Sequence, residues 1–146
     1  MPVIDPGPIL SFQREFRFLS NFWPAEVTLR GIKAKTVEHA YQAAKVSDED
    51  MFESIMTCGS PGKAKRLGRG CELRPDWEDI KEAVMLSLLM QKFQDSELEN
   101  RLAQTGNRKL VEGNSWGDIY WGQVAGKGKN RLGILLMFVR EFQCRE

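Results

Sequence analysis

A helix is predicted most clearly at Thr36–Lys45, which reads TVEHAYQAAK. Its apolar residues recur three and four positions apart, the spacing of one helical face, and Thr36 is a good N-cap. A stripe beside that face carries Glu38, Gln42 and Lys45, which are an acid, an amide and a base. The stripe suits a sugar-phosphate site with a catalytic carboxylate. Its spacing is also typical of a solvated face with a Glu–Lys pair.

Further helices are predicted after this one, which makes the fold mainly α. They cover about 48–57, 60–70, 76–94, 96–106 and 130–142. Their starts are marked by a Ser47–Asp50 capping box, Ser60 before Pro61, Pro75, Ser96 with Glu99, and Asn130. The helix at 76–94 is apolar nearly all round, so we expect it at the centre of the fold. We predict a single helical domain over residues 1–146, with its core at about 16–140.

A small β element is predicted near the N-terminus. Apolar residues at 27, 29 and 32 flank an Arg30-Gly31 turn, as in a short hairpin. The apolar residues of Ile9–Phe22 partly alternate, and Lys109–Glu112 can add one more short extended segment. Residues 1–8 hold three prolines and a glycine, which predicts an irregular arm.

The composition is that of an ordinary globular protein, with 42% hydrophobic and 28% charged residues. A net charge of +1 gives no general field for nucleic acid or an anionic membrane. The chain shows neither a leader nor an apolar run that could span a membrane. Three cysteines without a C-x-x-C pair, and His39 as a lone histidine, are too few for a structural zinc site. We expect a cytoplasmic protein with reduced thiols, a structural His39 and no cofactor.

Two later segments are candidates for ligand binding. Ser60–Arg69, SPGKAKRLGR, combines a helix start with four cations and suits a phosphate, although acids elsewhere in the chain can equally balance those charges. Gly113–Asn130 is a glycine-rich loop with two tryptophans and a tyrosine, whose flat rings suit stacking on a base. Asp118 among these rings is a candidate acid or base. The alternative is a packed loop whose aromatic residues fill the core.

Several motifs together resemble the YbiA-like, or NADAR, family of N-glycosidases. The resemblance extends from about Phe16 to Arg140. It is carried by FLSNF (18–22), TVEHAYQAAK (36–45), SPGKAKRLGR (60–69), DWEDIKEAVM (76–85), DIYWG (118–122) and GKGKNRLGILLM (126–137). The family implies a mainly helical fold. It also implies hydrolysis of a ribosyl–base bond, either in phosphoribosylamino-pyrimidine intermediates of riboflavin synthesis or in ADP-ribosylated guanine.

The resemblance also implies site residues. The family's catalytic positions fall on Glu38, Trp77 and Asp118. Its substrate-binding positions fall on Asn21, Phe22, Gln42, Lys45, Arg69, Trp121, Gly122 and Asn130. Trp116 departs from the family pattern and can reshape the base pocket. The implied enzyme needs no metal and no cofactor, and it acts on a small ribosyl substrate or on a modified base within nucleic acid.

Other interpretations stay open at this stage. A non-catalytic ADP-ribose- or nucleotide-binding module can use the same cations and tryptophans, although two acids in an anion site weaken such binding. A helical interaction domain without a ligand is a second alternative. We predict neither a membrane contact nor an obligate protein partner.

Overall fold

A computed structural model of the chain describes residues 6–144. The helices are a 3₁₀ helix (Arg14–Leu19), α1 (Val37–Ala44), α2 (Glu49–Thr57), α3 (Pro61–Arg69), α4 (Trp77–Lys92), α5 (Ser96–Ala103) and α6 (Arg131–Gln143). The strands β1 (Val27–Leu29) and β2 (Ile32–Ala34) form one two-stranded sheet. The predicted mainly α fold with a small β element is confirmed. The predicted arm at 1–8 lies mostly outside the described residues, and residues 6–8 have no regular structure.

The described residues form two compact units. One unit is Asn21–Gln94 and holds the hairpin with α1 to α4. The other joins the residues up to Ser20 to those from Asp95 onward, and holds the 3₁₀ helix with α5 and α6. That residues 1–146 act as a single domain stays a prediction. Among the described residues, every helix is too short or too polar to cross a membrane.

The hairpin forms where the sequence predicts it. Leu29 pairs with Ile32 across a two-residue turn, in which Arg30 has φ 51° and Gly31 has φ 79°. Both central residues of a type I′ turn need positive φ, and glycine adopts it without strain. Arg30 also places its guanidinium 4.4 Å from the centre of the Phe52 ring, a cation–π contact that holds the turn against α2.

The alternating apolar residues of Ile9–Phe22 do not form a strand. Residues 14–19 form the 3₁₀ helix, and only Ile9 pairs, in an isolated bridge with Leu110. The bridge rests on two backbone hydrogen bonds of 2.8 Å, from Ile9 to Lys109 and from Val111 to Ile9. The extended segment predicted at Lys109–Glu112 is therefore reduced to this one bridge.

Helix α1 lies at the core of the 21–94 unit. All eight of its residues are buried, and it contacts α2, α3, α4 and both strands. The hydroxyl of Thr36 accepts a hydrogen bond of 3.1 Å from the backbone N–H of His39, which confirms the predicted N-cap. Because other elements surround α1, its polar residues Glu38 and Gln42 are buried together with its apolar face. The candidate site is therefore a buried one.

Three expectations about helices need correction or adjustment. The capping box at Ser47–Asp50 is wrong, because the cap of α2 is Asp48, whose carboxylate accepts from the N–H of Met51 at 2.9 Å. Helix α5 begins at Ser96 as predicted, but its cap is Asp95. Helix α4 is not enclosed all round. Its buried face is Trp77, Met85, Leu88, Leu89 and Lys92, whereas Met90 is 41% exposed.

Lys92 on this buried face makes a testable prediction about stability. Burial lowers the pKa of its amine from 10.5 to about 7, because the charged form loses its hydration. Between pH 7 and about 10 the Lys92 amine therefore binds more protons in the unfolded chain than in the folded one, so its contribution to the free energy of unfolding should rise with pH. We expect this rise to be smaller in Lys92→Met than in the wild type when both are unfolded by urea across that range.

The exposed Lys109→Met serves as the control for Lys92→Met, since it removes a lysine without changing a buried amine. Its stability should follow the wild-type pH dependence. A Lys92→Met protein with the full wild-type rise would show that the burial of Lys92 does not control the titration.

Candidate active site

Glu38 is a buried carboxylate on α1, 7% exposed. Its Oε2 accepts a hydrogen bond of 2.6 Å from the Nε2 of Gln42, one turn further along the helix. Its backbone N–H donates to the carbonyl of Asn21 at 3.1 Å. The interpretation of this stripe as a solvated face is therefore wrong. A carboxylate is costly to bury and needs hydrogen-bond donors, so a carboxylate kept at this position suggests chemistry rather than solubility.

Two amide oxygens near Glu38 are buried without a hydrogen-bond partner. They are Oδ1 of Asn21 and Oε1 of Gln42, in side chains that are 9% and 4% exposed. The other end of the Asn21 amide donates to the sulfur of Met85 at 3.6 Å. Buried acceptors usually have a donor, and an unsatisfied one costs about 1–3 kcal/mol. Oε1 of Gln42 packs against Gly68 of α3, whereas Oδ1 of Asn21 is an acceptor that suits a hydroxyl or N–H group of a ligand.

An aromatic pair belongs to the same unit. The rings of Tyr41 and Trp77 lie 5.2 Å apart at an interplanar angle of 59°, and Trp77 is 4% exposed. The ammonium of Lys45 lies 5.3 Å from the centre of the Tyr41 ring. Arg74 and Asp76 form an ion pair of 2.6 Å just before α4, and this hydrogen bond lowers the pKa of the Asp76 carboxyl. Trp77 thus occupies a defined position at the first residue of α4.

His39 is a structural residue, as the sequence predicts. Its Nδ1 lies 2.8 Å from the Thr36 hydroxyl and its Nε2 lies 3.0 Å from the carbonyl of Cys58. A carbonyl oxygen only accepts, so Nε2 carries the hydrogen. Burial lowers the pKa of the imidazole, so the neutral form is favoured. Both ring nitrogens are engaged, and the Nε2 contact joins α1 to the end of α2.

Helix α3 presents the predicted cations. Ser60 accepts a hydrogen bond of 3.1 Å from the N–H of Lys63, and Pro61 occupies the first turn, which confirms the predicted helix start. Lys63, Arg66 and Arg69 are exposed. Gly68 of this helix is buried against α1, where a Cβ atom would overlap the side-chain amide of Gln42. Gly68 was not predicted as a site residue.

Asp118 organises the loop at 113–130. Its Oδ1 accepts from the backbone N–H groups of Tyr120 at 3.1 Å and Trp121 at 2.9 Å. Its own N–H donates to Oδ1 of Asn114 at 3.1 Å, and the Asn114 amide returns a bond of 2.9 Å to the Asp118 carbonyl. Asn114 was not predicted either, although asparagine and aspartate are frequent in such turns. Asp118, which the resemblance predicts as a catalytic acid, therefore has a structural role in this turn.

Of the aromatic residues of this loop, one is exposed and two are half-buried. Trp116 is 57% exposed, whereas Trp121 is half-buried and meets Tyr120 edge to face at 4.9 Å. The alternative of a loop whose tryptophans fill the core therefore fails for Trp116. Gly122 is buried, and a Cβ there would overlap the carbonyl of Glu112, so its place requires glycine.

Asn130 connects the two ends of the same loop. Its Nδ2 donates to the carbonyl of Leu110 and its Oδ1 accepts from the N–H of Glu112, both at 2.9 Å. The residue adopts a left-handed conformation with φ 53° and precedes α6, but its side chain does not cap that helix. Side-chain capping by Asn130 is therefore wrong.

Each unit thus gathers its own share of the predicted site residues. The 21–94 unit holds Asn21, Phe22, Glu38, Gln42, Lys45, Arg69 and Trp77, and the loop of the other unit holds Asp118, Trp121, Gly122 and Asn130. Phe22 is 39% exposed beside the buried Asn21. Glu38, Tyr41 and Gln42 lie on α1, and Trp77 packs against Tyr41. The assignments of these residues to catalysis or substrate binding stay predictions.

Most of the chain matches the model of a known protein family. The model of the NADAR domain matches residues 11–142. The chain belongs to the NADAR domain family, as its motifs indicate.

Characterised relatives and one solved structure agree with this assignment. The N-glycosidase YbiA of Escherichia coli is 47% identical over 128 residues, which cover 84% of this chain and 78% of the relative. The riboflavin biosynthesis protein VVA0006 of Vibrio vulnificus is 38% identical over 128 residues, which cover 85% of this chain and 35% of that longer protein. The NMR structure of E. coli YbiA superposes with a TM-score of 0.81 at 43% identity, covering 95% of this chain and 86% of that one.

Proposed function

We propose that this chain is an N-glycosidase that hydrolyses the ribosyl–base bond of a phosphoribosylamino-pyrimidine, an intermediate of riboflavin synthesis. The observation that carries the proposal is the buried Glu38 carboxylate, held by Gln42 on the same helix that carries Tyr41 of the Tyr41–Trp77 pair. The names of the relatives support the same reaction, since they include N-glycosidases and a riboflavin biosynthesis protein.

The reaction needs a carboxylate close to the sugar. As the bond between the anomeric carbon and the base nitrogen breaks, its electron pair goes to the nitrogen, and positive charge builds on the carbon and the ring oxygen. Glu38 stabilises that charge and accepts a proton from the water that attacks the carbon. Glu38 returns this proton, directly or through solvent, to the leaving nitrogen, so the products are the neutral amino-pyrimidine and a ribose phosphate with a hydroxyl on its anomeric carbon.

The remaining residues of the 21–94 unit would bind the substrate. Oδ1 of Asn21 offers an acceptor for a sugar hydroxyl, and Phe22 borders it. Trp77 with Tyr41 provides an aromatic wall for the base or sugar. Lys45 and Arg69 supply the positive charge that a phosphate needs, and Arg69 is exposed at the end of α3.

We also propose substrate-binding roles for residues of the loop at 113–130. The half-buried Trp121 offers a ring face, and Gly122 and Asn130 keep the loop in the shape that presents it. Asp118 is the second proposed acid. Its Oδ1 accepts two backbone N–H groups, which fix the carboxylate in place, so we assign it electrostatic support of the substrate.

We further propose that hydrolysis proceeds without a bound metal. The donor set favours this, because both ring nitrogens of His39 are already engaged and the Glu38 carboxylate is held by an amide. A buried carboxylate can stabilise a cationic sugar by itself. Turnover that survives dialysis against a chelator would support this part of the proposal.

The reaction is tested by incubating the folded protein with a phosphoribosylamino-pyrimidine and, separately, with ADP-ribosylated guanine in DNA. Mass spectrometry then follows the released base and sugar. We expect release from the pyrimidine substrate. Release from the guanine substrate alone would move the assignment to ADP-ribose removal. Binding of ADP-ribose without release from either substrate would indicate a non-catalytic module.

Asp118→Asn separates the roles of the two acids. The amide keeps an oxygen that can accept from Tyr120 and Trp121, so the loop should stay folded while the negative charge is lost. We expect turnover to fall by about tenfold, less than for a residue that exchanges protons in the transition state. Steady-state kinetics decide the role. Unchanged kcat with a raised KM would make Asp118 a binding residue only.

A further inference from the structure

The side chain of Gln42 occupies an unusual position. Its Nε2 donates to Glu38 at 2.6 Å, while its Oε1 is buried without any hydrogen-bond partner. An unconstrained side-chain amide would make hydrogen bonds with both its nitrogen and its oxygen, because an unmade buried hydrogen bond costs about 1–3 kcal/mol. The orientation of Gln42 is therefore set by Glu38 and not by its own hydrogen-bonding needs.

Gly68 makes this orientation possible. It lies on the inner face of α3, and a Cβ atom built on it would overlap the Oε1, Cδ and Cβ atoms of Gln42. A glycine inside a helix costs about 1 kcal/mol relative to alanine, so its presence in α3 needs a packing reason. The reason is visible here, since the missing side chain leaves the space that the Gln42 amide fills.

From this geometry we infer that Gln42 and Gly68 together form a clamp that orients the Glu38 carboxylate for catalysis. The backbone of α3 at Gly68 packs against the Gln42 amide, and Nε2 of Gln42 donates a hydrogen bond to Oε2 of Glu38. Both are positioning residues. The inference rests on the proposed function, because it takes Glu38 to be the acid that acts on the sugar. It also gives Gln42 a role different from the substrate binding that the family resemblance implies.

The clamp makes a kinetic prediction for Gly68→Ala. The new methyl group pushes the Gln42 amide away from Glu38, so the carboxylate is misplaced in the transition state although the substrate contacts remain. We expect kcat to fall about tenfold or more with KM nearly unchanged. If Gln42 instead binds the substrate, the same displacement raises KM and leaves kcat unchanged, and that result would overturn the clamp.

Gly70→Ala is the matched control, two residues further along the chain. A Cβ there meets nothing closer than 3.8 Å, and its φ of −90° suits alanine. Its kcat and KM should equal those of the wild type. Gln42→Met covers the case in which Gly68→Ala fails to fold. It keeps the length of the side chain and leaves Gly68 untouched, but removes the Nε2 donor together with the unpartnered Oε1, so it should show the same loss of kcat.

A spectroscopic test keeps the clamp separate from the proposed function. The side-chain amide protons of Gln42 should resonate downfield in the wild type and in Gly70→Ala, because one of them is bonded to a carboxylate, and should return to ordinary positions in Gly68→Ala. Unchanged Gln42 signals in a folded Gly68→Ala protein would overturn the clamp. If the wild type shows the amide signature but releases no base, the clamp stands and the proposed N-glycosidase function fails.

Discussion

Glu38→Gln is expected to fold like the wild type and to lose turnover by about 10²- to 10⁴-fold. The loss is that of a carboxylate that exchanges a proton and opposes the charge of a cationic sugar. The fold should survive because the new amide matches the carboxyl in shape, and its oxygen can still accept from the Nε2 of Gln42. The measurement is single-turnover release of base from the phosphoribosylamino-pyrimidine, with stability checked by urea unfolding.

Glu53→Gln controls for the loss of a negative charge as such. Glu53 lies on the exposed side of α2, so its replacement should leave both turnover and stability unchanged. Full turnover in a folded Glu38→Gln protein would remove Glu38 from the chemistry. Asp118 would then become the leading candidate for the acid.

Gly133→Ala is expected to be the most destabilising of these substitutions. A Cβ at this position in the first turn of α6 would overlap the carbonyl of Leu110 and both amide atoms of Asn130. Alanine gains about 1 kcal/mol of helix propensity over glycine, but overpacking against a backbone costs about 1–3 kcal/mol and the Asn130 hydrogen bonds are weakened as well. The steric cost is the larger, so the free energy of unfolding should fall by about 2 kcal/mol.

Urea unfolding of Gly59→Ala provides the comparison for Gly133→Ala. A Cβ at Gly59 meets no atom within 4 Å, and its backbone φ lies outside the positive range. This variant should stay within about 0.5 kcal/mol of the wild type. Equal stability of Gly133→Ala and wild type would mean that α6 can move away from Leu110 at no cost.

The elements that the sequence predicts well are those fixed by neighbouring residues. The Thr36 and Ser60 caps and the Arg30-Gly31 turn need only side chains within three positions of one another, and all three are found. Asp48 replaces the predicted Ser47 by a shift of one residue, because either side chain can cap and only the packed helix decides between them. A local pattern therefore indicates that a helix starts, but not which of two adjacent polar residues caps it.

The sequence predicts which residues belong to the site, but not which of them contact one another. Spacing places Glu38 and Gln42 one turn apart on α1, but their burial comes from the other helices and the hairpin that surround α1. Gly68 contacts Gln42 from 26 positions away, and nothing local to SPGKAKRLGR signals that approach. Asparagine and aspartate are typical of turns, so the residue types of Asn114 and Asp118 indicate this turn. The aromatic residues of the same loop suggested a ligand site instead.

Asn130 closes the base of the loop at 113–130 independently of the loop's tip. Its two side-chain bonds join the segment before the loop to the residue that ends it, so the base of the loop is closed whatever its tip contains. The exposed tip at Ala125–Gly128 can accept inserted residues, since doubling a flexible loop adds only about 0.6 kcal/mol of closure entropy. New substrate preferences can thus evolve by changing this tip, while the helices keep their sequence and their stability.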